Sequence, residues 1–214
     1  FTGTQYTHLD IGCGNGAAMF LLSQKMKSCV GIDIVNDYEQ DINDYLKKNN
    51  ISNCRFQCVD IEKDISSLQQ QFDRITSFEV IEHLHDENSV SIYRKLLKDD
   101  GLMAISVPNK WWIFETHGAK LPLLPWNRVP FFSWLPRFLH ERWANARIYT
   151  KGRITRLLER NGFEVLHSSY ITAPMDVLKE GRPKRLLVKY LFKNDTTKNP
   201  FKSTAILVIA RRRK

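Results

Sequence analysis

Short runs of β-branched and other apolar residues alternate with helix-like amphipathic stretches through the first half of the chain. The runs predict five strands, at Tyr6–Ile11, Cys29–Ile34, Arg55–Val59, Arg74–Phe78 and Leu102–Val107. The stretches between them predict helices over residues 16–27, 37–49, 64–71 and 86–98. This alternation is typical of a parallel sheet with right-handed crossovers. We therefore expect an α/β, doubly wound fold that binds its ligands beyond the carboxyl ends of the strands.

The pattern changes after residue 109. Residues 110–149 contain all five tryptophans and four of the eight prolines, which is too many prolines for one long helix. A helix is predicted from Thr150 to about Gly162, followed by strands at Phe163–Ile171 and Thr204–Ala210. These strands would complete a seven-stranded, mostly parallel sheet with a closing antiparallel hairpin. We expect one domain over 1–214, with an aromatic-rich, substrate-side insertion at 110–149 and a basic connection at 175–200.

Charge is distributed unevenly along the chain. The net charge is +9, yet residues 1–109 hold 10 Lys/Arg against 16 Asp/Glu, and residues 110–214 hold 22 against 7. Such asymmetry predicts an acidic ligand site and a separate basic surface. The four cysteines lack zinc spacing and lie in apolar segments, which predicts buried thiols in a reducing compartment. We therefore expect a cytoplasmic protein, and its basic half also suggests association with a membrane surface. Because Phe1 stands so close to the first motif, we expect a further N-terminal segment.

The first motif is a glycine-rich loop between a strand and a helix. It reads Asp10-Ile11-Gly12-Cys13-Gly14-Asn15-Gly16-Ala17, and the glycines would let a ligand approach the backbone. The spacing also fits a dinucleotide site, and Asp33 would suit a ribose under either interpretation. Charge decides between the two, because carboxylates at Asp10, Glu79 and Glu82 repel a pyrophosphate and suit a cationic ligand. S-adenosylmethionine, with its ammonium and sulfonium groups, is such a ligand.

Together these segments resemble the class I S-adenosylmethionine-dependent methyltransferases, in particular those acting on small molecules, ubiquinone precursors and polysaccharides. The resemblance rests on the glycine loop and on four further segments, Gly31-Ile32-Asp33, Val59-Asp60-Ile61, Phe78-Glu79-Val80-Ile81-Glu82-His83-Leu84 and residues 101–109. It implies a Rossmann-like methyltransferase fold over residues 6–109, resuming at the Thr150 helix.

The resemblance also implies roles for individual residues. Asp10 and Gly12 would hold the methionine amino group, Asp33 the ribose hydroxyls, and Asp60 with Ile61 the adenine. Glu79 would lie beneath the transferred methyl group. The expected cofactor site is completed by residues adjoining these in the loop and after the second strand, namely Cys13, Gly14, Gly16 and Ile34.

The Glu79-x-x-Glu82-His83 cluster has three interpretations. It shapes the pocket wall, or His83 is the general base for a substrate hydroxyl, or the three side chains bind a divalent cation. The third resembles the metal cluster of small-RNA 2′-O-methyltransferases and of some ubiquinone-pathway enzymes. Those RNA enzymes supply a further histidine from beyond the fifth strand, and in this chain His117 or His140 would take that place. Both are also less favoured candidates for the general base. We expect His83 to be the base and the enzyme to need no metal.

The second half bears on the methyl acceptor. Nine aromatic residues between 111 and 143, with Arg128, Arg137, Arg142 and Arg147 among or beside them, predict a lid over an apolar, anionic acceptor or a contact with a membrane interface. The stretch Lys184–Lys193 is either an ordinary surface helix or a contact with a membrane or polyanion. We expect O-methylation of a small, sugar or lipid-linked anionic acceptor. The alternatives are a metal-assisted RNA 2′-O-methyltransferase, which needs a nucleic-acid partner, and a non-catalytic cofactor-binding protein.

Overall fold

The computed structural model describes residues 1–68, 70–121, 129–175 and 178–213. Trp126 and Arg128 of the aromatic-rich segment lie outside the described residues. The strands are β1 Gly3–Ile11, β2 Met26–Asp33, β3 Cys54–Cys58, β4 Phe72–Phe78, β5 Leu97–Pro108, β6 Phe163–Thr172, β7 Thr196–Thr197 and β8 Ser203–Arg212. The α-helices are α1 Ala17–Ser23, α2 Glu39–Lys48, α3 Ser91–Leu96, α4 Arg137–Trp143, α5 Lys151–Arg160 and α6 Arg182–Leu191.

The strands form one sheet in the order β3-β2-β1-β4-β5-β8-β6-β7. β1 pairs in parallel with β2 and β4, β2 pairs in parallel with β3, and β6 pairs antiparallel with β7. The predicted doubly wound sheet with an antiparallel part is thereby confirmed. The two-residue strand β7 is an addition to the seven predicted strands, because so short a segment leaves no alternation to detect.

The chain divides into two compact units. The first unit comprises Phe1–Ile105, Thr155–Leu166 and Ile209–Lys214, and the second comprises Ser106–Ile154 and His167–Val208. Strands β5, β6 and β8 contribute residues to both. Within the described residues, no helix is long and apolar enough to cross a bilayer.

In the first unit, α1 and α2 pack on the sheet through an apolar cluster. Met19, Ile42, Leu46 and Phe56 belong to this cluster, together with Cys13 and Cys29. Ile42 and Leu46 are four residues apart on α2 and therefore lie on one face of that helix. All four cysteines are free thiols, but Cys54 is half-buried and Cys58 is exposed, so burial was predicted wrongly for those two.

Three predicted helices differ from the structure. The described residues of 64–71 form turns, since the carboxylate of Asp64 accepts hydrogen bonds from the amide and hydroxyl of Ser66 and thereby stabilises non-helical backbone. The helix predicted at 86–98 is a 3₁₀ turn at Glu87–Val90 followed by α3, and β5 already begins at Leu97. Helix α1 ends at Ser23, whose carbonyl accepts a hydrogen bond from the Asn53 side chain.

Candidate active site

The glycine loop joins β1 to α1 and requires glycine for conformational and steric reasons. Gly12, Gly14 and Gly16 have φ angles of 71°, 49° and 80°, in the left-handed region that side chains disfavour. The amide of Gly12 donates a 2.8 Å hydrogen bond to the carbonyl of Ile32 on β2. A Cβ atom at Gly12 would overlap Cγ2 of Val80. The loop is therefore fixed against β2 and against the turn after β4.

Asp33, the last residue of β2, is oriented by two backbone amides. Oδ2 accepts a 2.9 Å hydrogen bond from the amide of Gly14, and Oδ1 accepts one of 3.0 Å from the amide of Val35. Each oxygen keeps a further lone pair. The side chain is half-buried and can therefore receive hydroxyl donors from a ligand.

A cavity of about 530 Å³ opens at the carboxyl ends of β1, β2, β3 and β4, within the first unit. Seven of the predicted site residues line it, namely Gly12, Asp33, Ile34, Asp60, Ile61, Glu79 and His83. The position is the one expected for ligands of a doubly wound sheet. Lining residues that were not predicted include Val35, Val59 and Glu62. Val35 and Val59 could have been predicted, because each is a hydrophobic residue just after the end of a strand.

The remaining predicted residues, Asp10, Cys13, Gly14, Gly16 and Glu82, do not line this cavity. Cys13 points into the apolar cluster beneath the loop, where its Sγ lies under Gly31. Burial raises the pKa of its thiol to about 12, so Cys13 is a neutral packing residue. Gly14 contributes through its bond to Asp33.

Asp10 is held by a buried chain of hydrogen bonds that runs through Thr76 to His8. The hydroxyl of Thr76 donates to Asp10 Oδ1 at 2.6 Å, and Nε2 of His8 lies 2.7 Å from the same hydroxyl. Burial lowers the pKa of His8 to about 4, so the ring is neutral. Because the Thr76 hydroxyl gives its proton to Asp10, Nε2 of His8 is the donor to Thr76. Sequence reasoning missed His8 and Thr76, because their meeting depends on the register of β1 against β4.

The second oxygen of Asp10 tests whether the site fits the cofactor. Oδ2 is buried and has no hydrogen-bond partner among the described residues, which is costly unless a ligand supplies a donor. Burial raises the pKa of Asp10 to about 6, although the Thr76 hydrogen bond opposes that shift. The group is thus mostly ionised at neutral pH. The unsatisfied oxygen has the charge that the ammonium group of S-adenosylmethionine requires, although Asp10 itself does not line the cavity.

Asp60 is fixed at the start of the turn after β3. Oδ1 accepts a 3.0 Å hydrogen bond from the amide of Glu62, and Oδ2 lies 2.9 Å from Nζ of Lys63. Its neighbour Ile61 is buried in the cavity wall. An apolar wall beside a carboxylate suits a flat ring with an exocyclic amino group. The surroundings of Asp60 and Ile61 are therefore compatible with the predicted adenine position.

The Glu79-x-x-Glu82-His83 cluster occupies the turn after β4. Glu79 has a φ of 57°, a strained conformation for a residue with a side chain. Glu82 is buried, and its desolvation, with the nearby charge of Glu79, raises its pKa to about 9. His83 ends a 3₁₀ turn and is exposed at the cavity. Metal binding by this cluster stays an untested alternative to the prediction that His83 is the base.

The two other histidines considered for the chemistry lie in the second unit. His140 is completely buried, with Nε2 2.6 Å from Oε2 of the equally buried Glu115. A side chain without solvent exposure cannot meet an acceptor, so the structure argues against His140 as base or metal ligand. His117 is half-buried, and its amide donates to Oε1 of Glu115.

Comparison with known proteins agrees with this geometry. A family model described as a methyltransferase domain matches residues 3–168. The chain belongs to this methyltransferase family. The predicted methyltransferase family and its Rossmann-like fold are confirmed. That the individual residues bind the cofactor as assigned remains a prediction.

Individual relatives of this methyltransferase are distant. The ubiquinone biosynthesis O-methyltransferase of Bartonella tribocorum is 28% identical over 169 residues, which is 77% of this chain and 62% of that protein. The chain spans 44–63% of the length of the curated relatives considered. A crystal structure of an S-adenosylmethionine-dependent methyltransferase from Mesorhizobium loti has a TM-score of 0.65 at 16% identity and covers 99% of this chain and 92% of its own.

A further solved neighbour contains a product of the cofactor. The N-methyltransferase NodS of Bradyrhizobium japonicum, in complex with S-adenosyl-L-homocysteine, has a TM-score of 0.59 at 15% identity, over 97% of this chain and 78% of its own. At such identity the likeness concerns the fold alone. Methylation of nitrogen and of oxygen both occur on this fold, so the acceptor must be argued from this chain's own residues.

Proposed function

We propose that this methyltransferase transfers a methyl group to a hydroxyl oxygen of a small, sugar or lipid-linked acceptor that carries negative charge. The observation that supports it best is one cavity with two kinds of residue. Gly12, Asp33 and Asp60 face it from the strand ends expected for the cofactor, and His83 faces it from the turn after β4. When bound, S-adenosylmethionine supplies a methyl group activated by its sulfonium.

The protein residues divide the remaining work. Asp10 and Asp33 orient the donor through fixed carboxylates, and Ile61 excludes water on the adenine side. An acceptor hydroxyl must lose its proton as the oxygen–carbon bond forms and the sulfur–carbon bond breaks. In our proposal Nδ1 or Nε2 of His83 takes that proton. Its exposure at the cavity is what a base for an incoming acceptor needs.

The proposed acceptor class has two supports. The curated relative from Bartonella tribocorum is named a ubiquinone biosynthesis O-methyltransferase, which supports oxygen as the methylated atom. In addition, the second unit has a surplus of cations. Residues 106–154 hold 8 Lys/Arg and 2 Asp/Glu, and residues 167–208 hold 8 Lys/Arg and 3 Asp/Glu. A surplus of cations raises the local concentration of anionic molecules.

The proposal is tested with methyl-labelled S-adenosylmethionine and separated pools of lipids, polysaccharides, small phenols and RNA. We expect label in the lipid, sugar or phenol pools, in a product whose methyl group is attached to oxygen. Label in RNA 3′ ends, abolished by a chelator, would instead establish the metal-assisted RNA alternative. Cofactor binding with no label in any pool would indicate a non-catalytic protein.

His83→Ala tests the base. We expect its turnover to fall about 10²-fold or more, with unchanged affinity for S-adenosylhomocysteine. His85→Ala is the matched control, because His85 is also exposed and lies two residues away outside the cavity lining. Equal turnover in the two variants would remove His83 from the mechanism. A chelator that reduces activity as much as His83→Ala does would favour the metal interpretation.

A further inference from the structure

The second unit exposes several large apolar side chains. Phe131, Trp134 and Phe201 are 51%, 38% and 52% exposed, and Phe138 on α4 is 73% exposed. Helix α6 adds Leu186, Tyr190 and Leu191, at 56%, 66% and 52%. Scattered exposed apolar residues are normal, but groups of them with a polar or charged rim mark interaction sites. We call these seven side chains the aromatic face.

Contacts join three rings of the aromatic face and place the end of α6 beside them. The ring of Phe201 lies 5.6 Å from that of Trp134, and the Trp134 ring lies 4.8 Å from that of Phe131. Lys202, next to Phe201, places Nζ 3.4 Å from the carbonyl of Leu191 at the end of α6. The aromatic cluster and the C-terminal end of α6 are therefore neighbours.

Helix α6 has one packed side and one exposed side. Leu187 and Val188 pack against the buried residues Trp112, Ala173 and Met175. Leu186 and Tyr190 are four residues apart and share a different, exposed side. The helix contains no fully buried residue. Packing on the unit thus accounts for only one apolar side of α6 and leaves the other side available.

Cations surround the exposed apolar side of α6. Arg182, Arg185, Lys189 and Lys193 are all exposed. Nζ of Lys189 lies 5.4 Å from the ring of Tyr190. Aromatic rings and aliphatic side chains that alternate with lysine and arginine are the composition of helices lying in a membrane interface, where the cations meet lipid phosphates.

We propose that the aromatic face binds the surface of an anionic phospholipid bilayer. The cations beside Leu186 and Tyr190 favour this partner, because they would gain nothing from contact with a neutral protein surface. Nucleic acid would meet the cations but gains little from exposed leucines, which do not stack on bases as aromatic rings do. The proposal is independent of the acceptor and of methyl transfer, since it concerns residues outside the cavity.

The test is co-sedimentation of the full chain with vesicles of phosphatidylcholine alone or of equal parts of phosphatidylcholine and phosphatidylglycerol. We expect binding to the mixed vesicles only. Arg185→Glu with Lys189→Glu should reduce the partition coefficient by about tenfold or more. Lys47→Glu with Lys48→Glu, two exposed cations in the last turn of α2, is the matched control and should bind nearly as well as the wild type.

A second pair of variants tests the apolar contribution. Leu186→Ser with Tyr190→Ser should weaken binding severalfold, whereas Leu21→Ser, 77% exposed on α1 in the first unit, should not. Thermal unfolding of every variant shows that the fold is kept. Equal binding to both vesicle types, equal binding by α6 and control variants, or retention on single-stranded RNA without vesicle binding would each overturn the proposal. Loss of methyl transfer with vesicle binding intact would concern the proposed function alone.

Discussion

The amide of Gly14 donates a 2.9 Å hydrogen bond to Oδ2 of Asp33. The last residue of β2 therefore supports the glycine loop as well as facing the cavity. Because both carboxylate oxygens accept backbone amides, the side chain is oriented before any ligand arrives. Such preorganisation reduces the conformational cost of binding.

Asp33→Ala should lower the affinity for S-adenosylhomocysteine by at least about tenfold, since hydrogen bonds to charged groups contribute about 1.5–3 kcal/mol. The loss includes ligand contacts and the support of the loop at Gly14. Isothermal titration calorimetry measures it. Asp37→Ala, four residues further along in an exposed position, is the control, and equal affinity in both variants would contradict the assignment of Asp33.

Gly12→Ala should impair both stability and cofactor binding. The added methyl group would overlap Cγ2 of Val80 and would stand at a φ of 71°. Combining it with Val80→Ala removes the overlap but keeps the backbone strain of about 1–3 kcal/mol. Denaturation midpoints should therefore recover partly in the double variant. Full recovery would mean that the backbone conformation at Gly12 has no cost, contrary to this prediction.

Glu82 predicts a pH dependence of stability. Its pKa of about 9 in the folded protein lies above the ordinary value of 4.5, so the folded state holds a proton that the unfolded state releases between these values. The free energy of unfolding should fall as pH rises from about 4.5 to 9, by up to about 1.4 kcal/mol per pH unit, and should change no further above 9. Urea denaturation at a series of pH values measures it.

Glu82→Gln should flatten that slope and raise stability at pH 8, because the amide imitates the protonated carboxyl group. Glu39→Gln, at an exposed position in α2, should leave the slope unchanged. An equally steep slope in Glu82→Gln would assign the pH dependence to another group.

The hydrogen bond between His140 and Glu115 should contribute strongly to the stability of the second unit. Both side chains are completely buried, so His140→Leu would leave the buried Oε2 of Glu115 without this partner, at a cost of about 1–3 kcal/mol. Arg211→Ala breaks the exposed pair with Glu164, at 2.8 Å, and should cost less than about 1 kcal/mol. Urea denaturation measures the free energy of unfolding of both variants. Similar losses in the two would contradict a larger contribution from the buried pair.

Local sequence patterns predicted the strands and the strand-end residues well, because apolar runs and glycine turns are determined by nearest neighbours. Gly12, Asp33 and Asp60 could be placed at one sheet edge for that reason. The chain His8–Thr76–Asp10 could not, because it joins strands separated by more than 60 residues. Nor could the burial of His140, whose partner Glu115 is fixed by tertiary packing rather than by spacing.

The division of the chain has a consequence for its synthesis. The backbone passes between the two units at residues 105, 154, 166 and 208. The first unit therefore cannot be completed until residues 209–213 have left the ribosome, although residues 1–105 emerge first. The glycine loop and the carboxylates around it therefore belong to a unit that is incomplete when they are synthesised, and a chain interrupted before β8 lacks a strand of that unit.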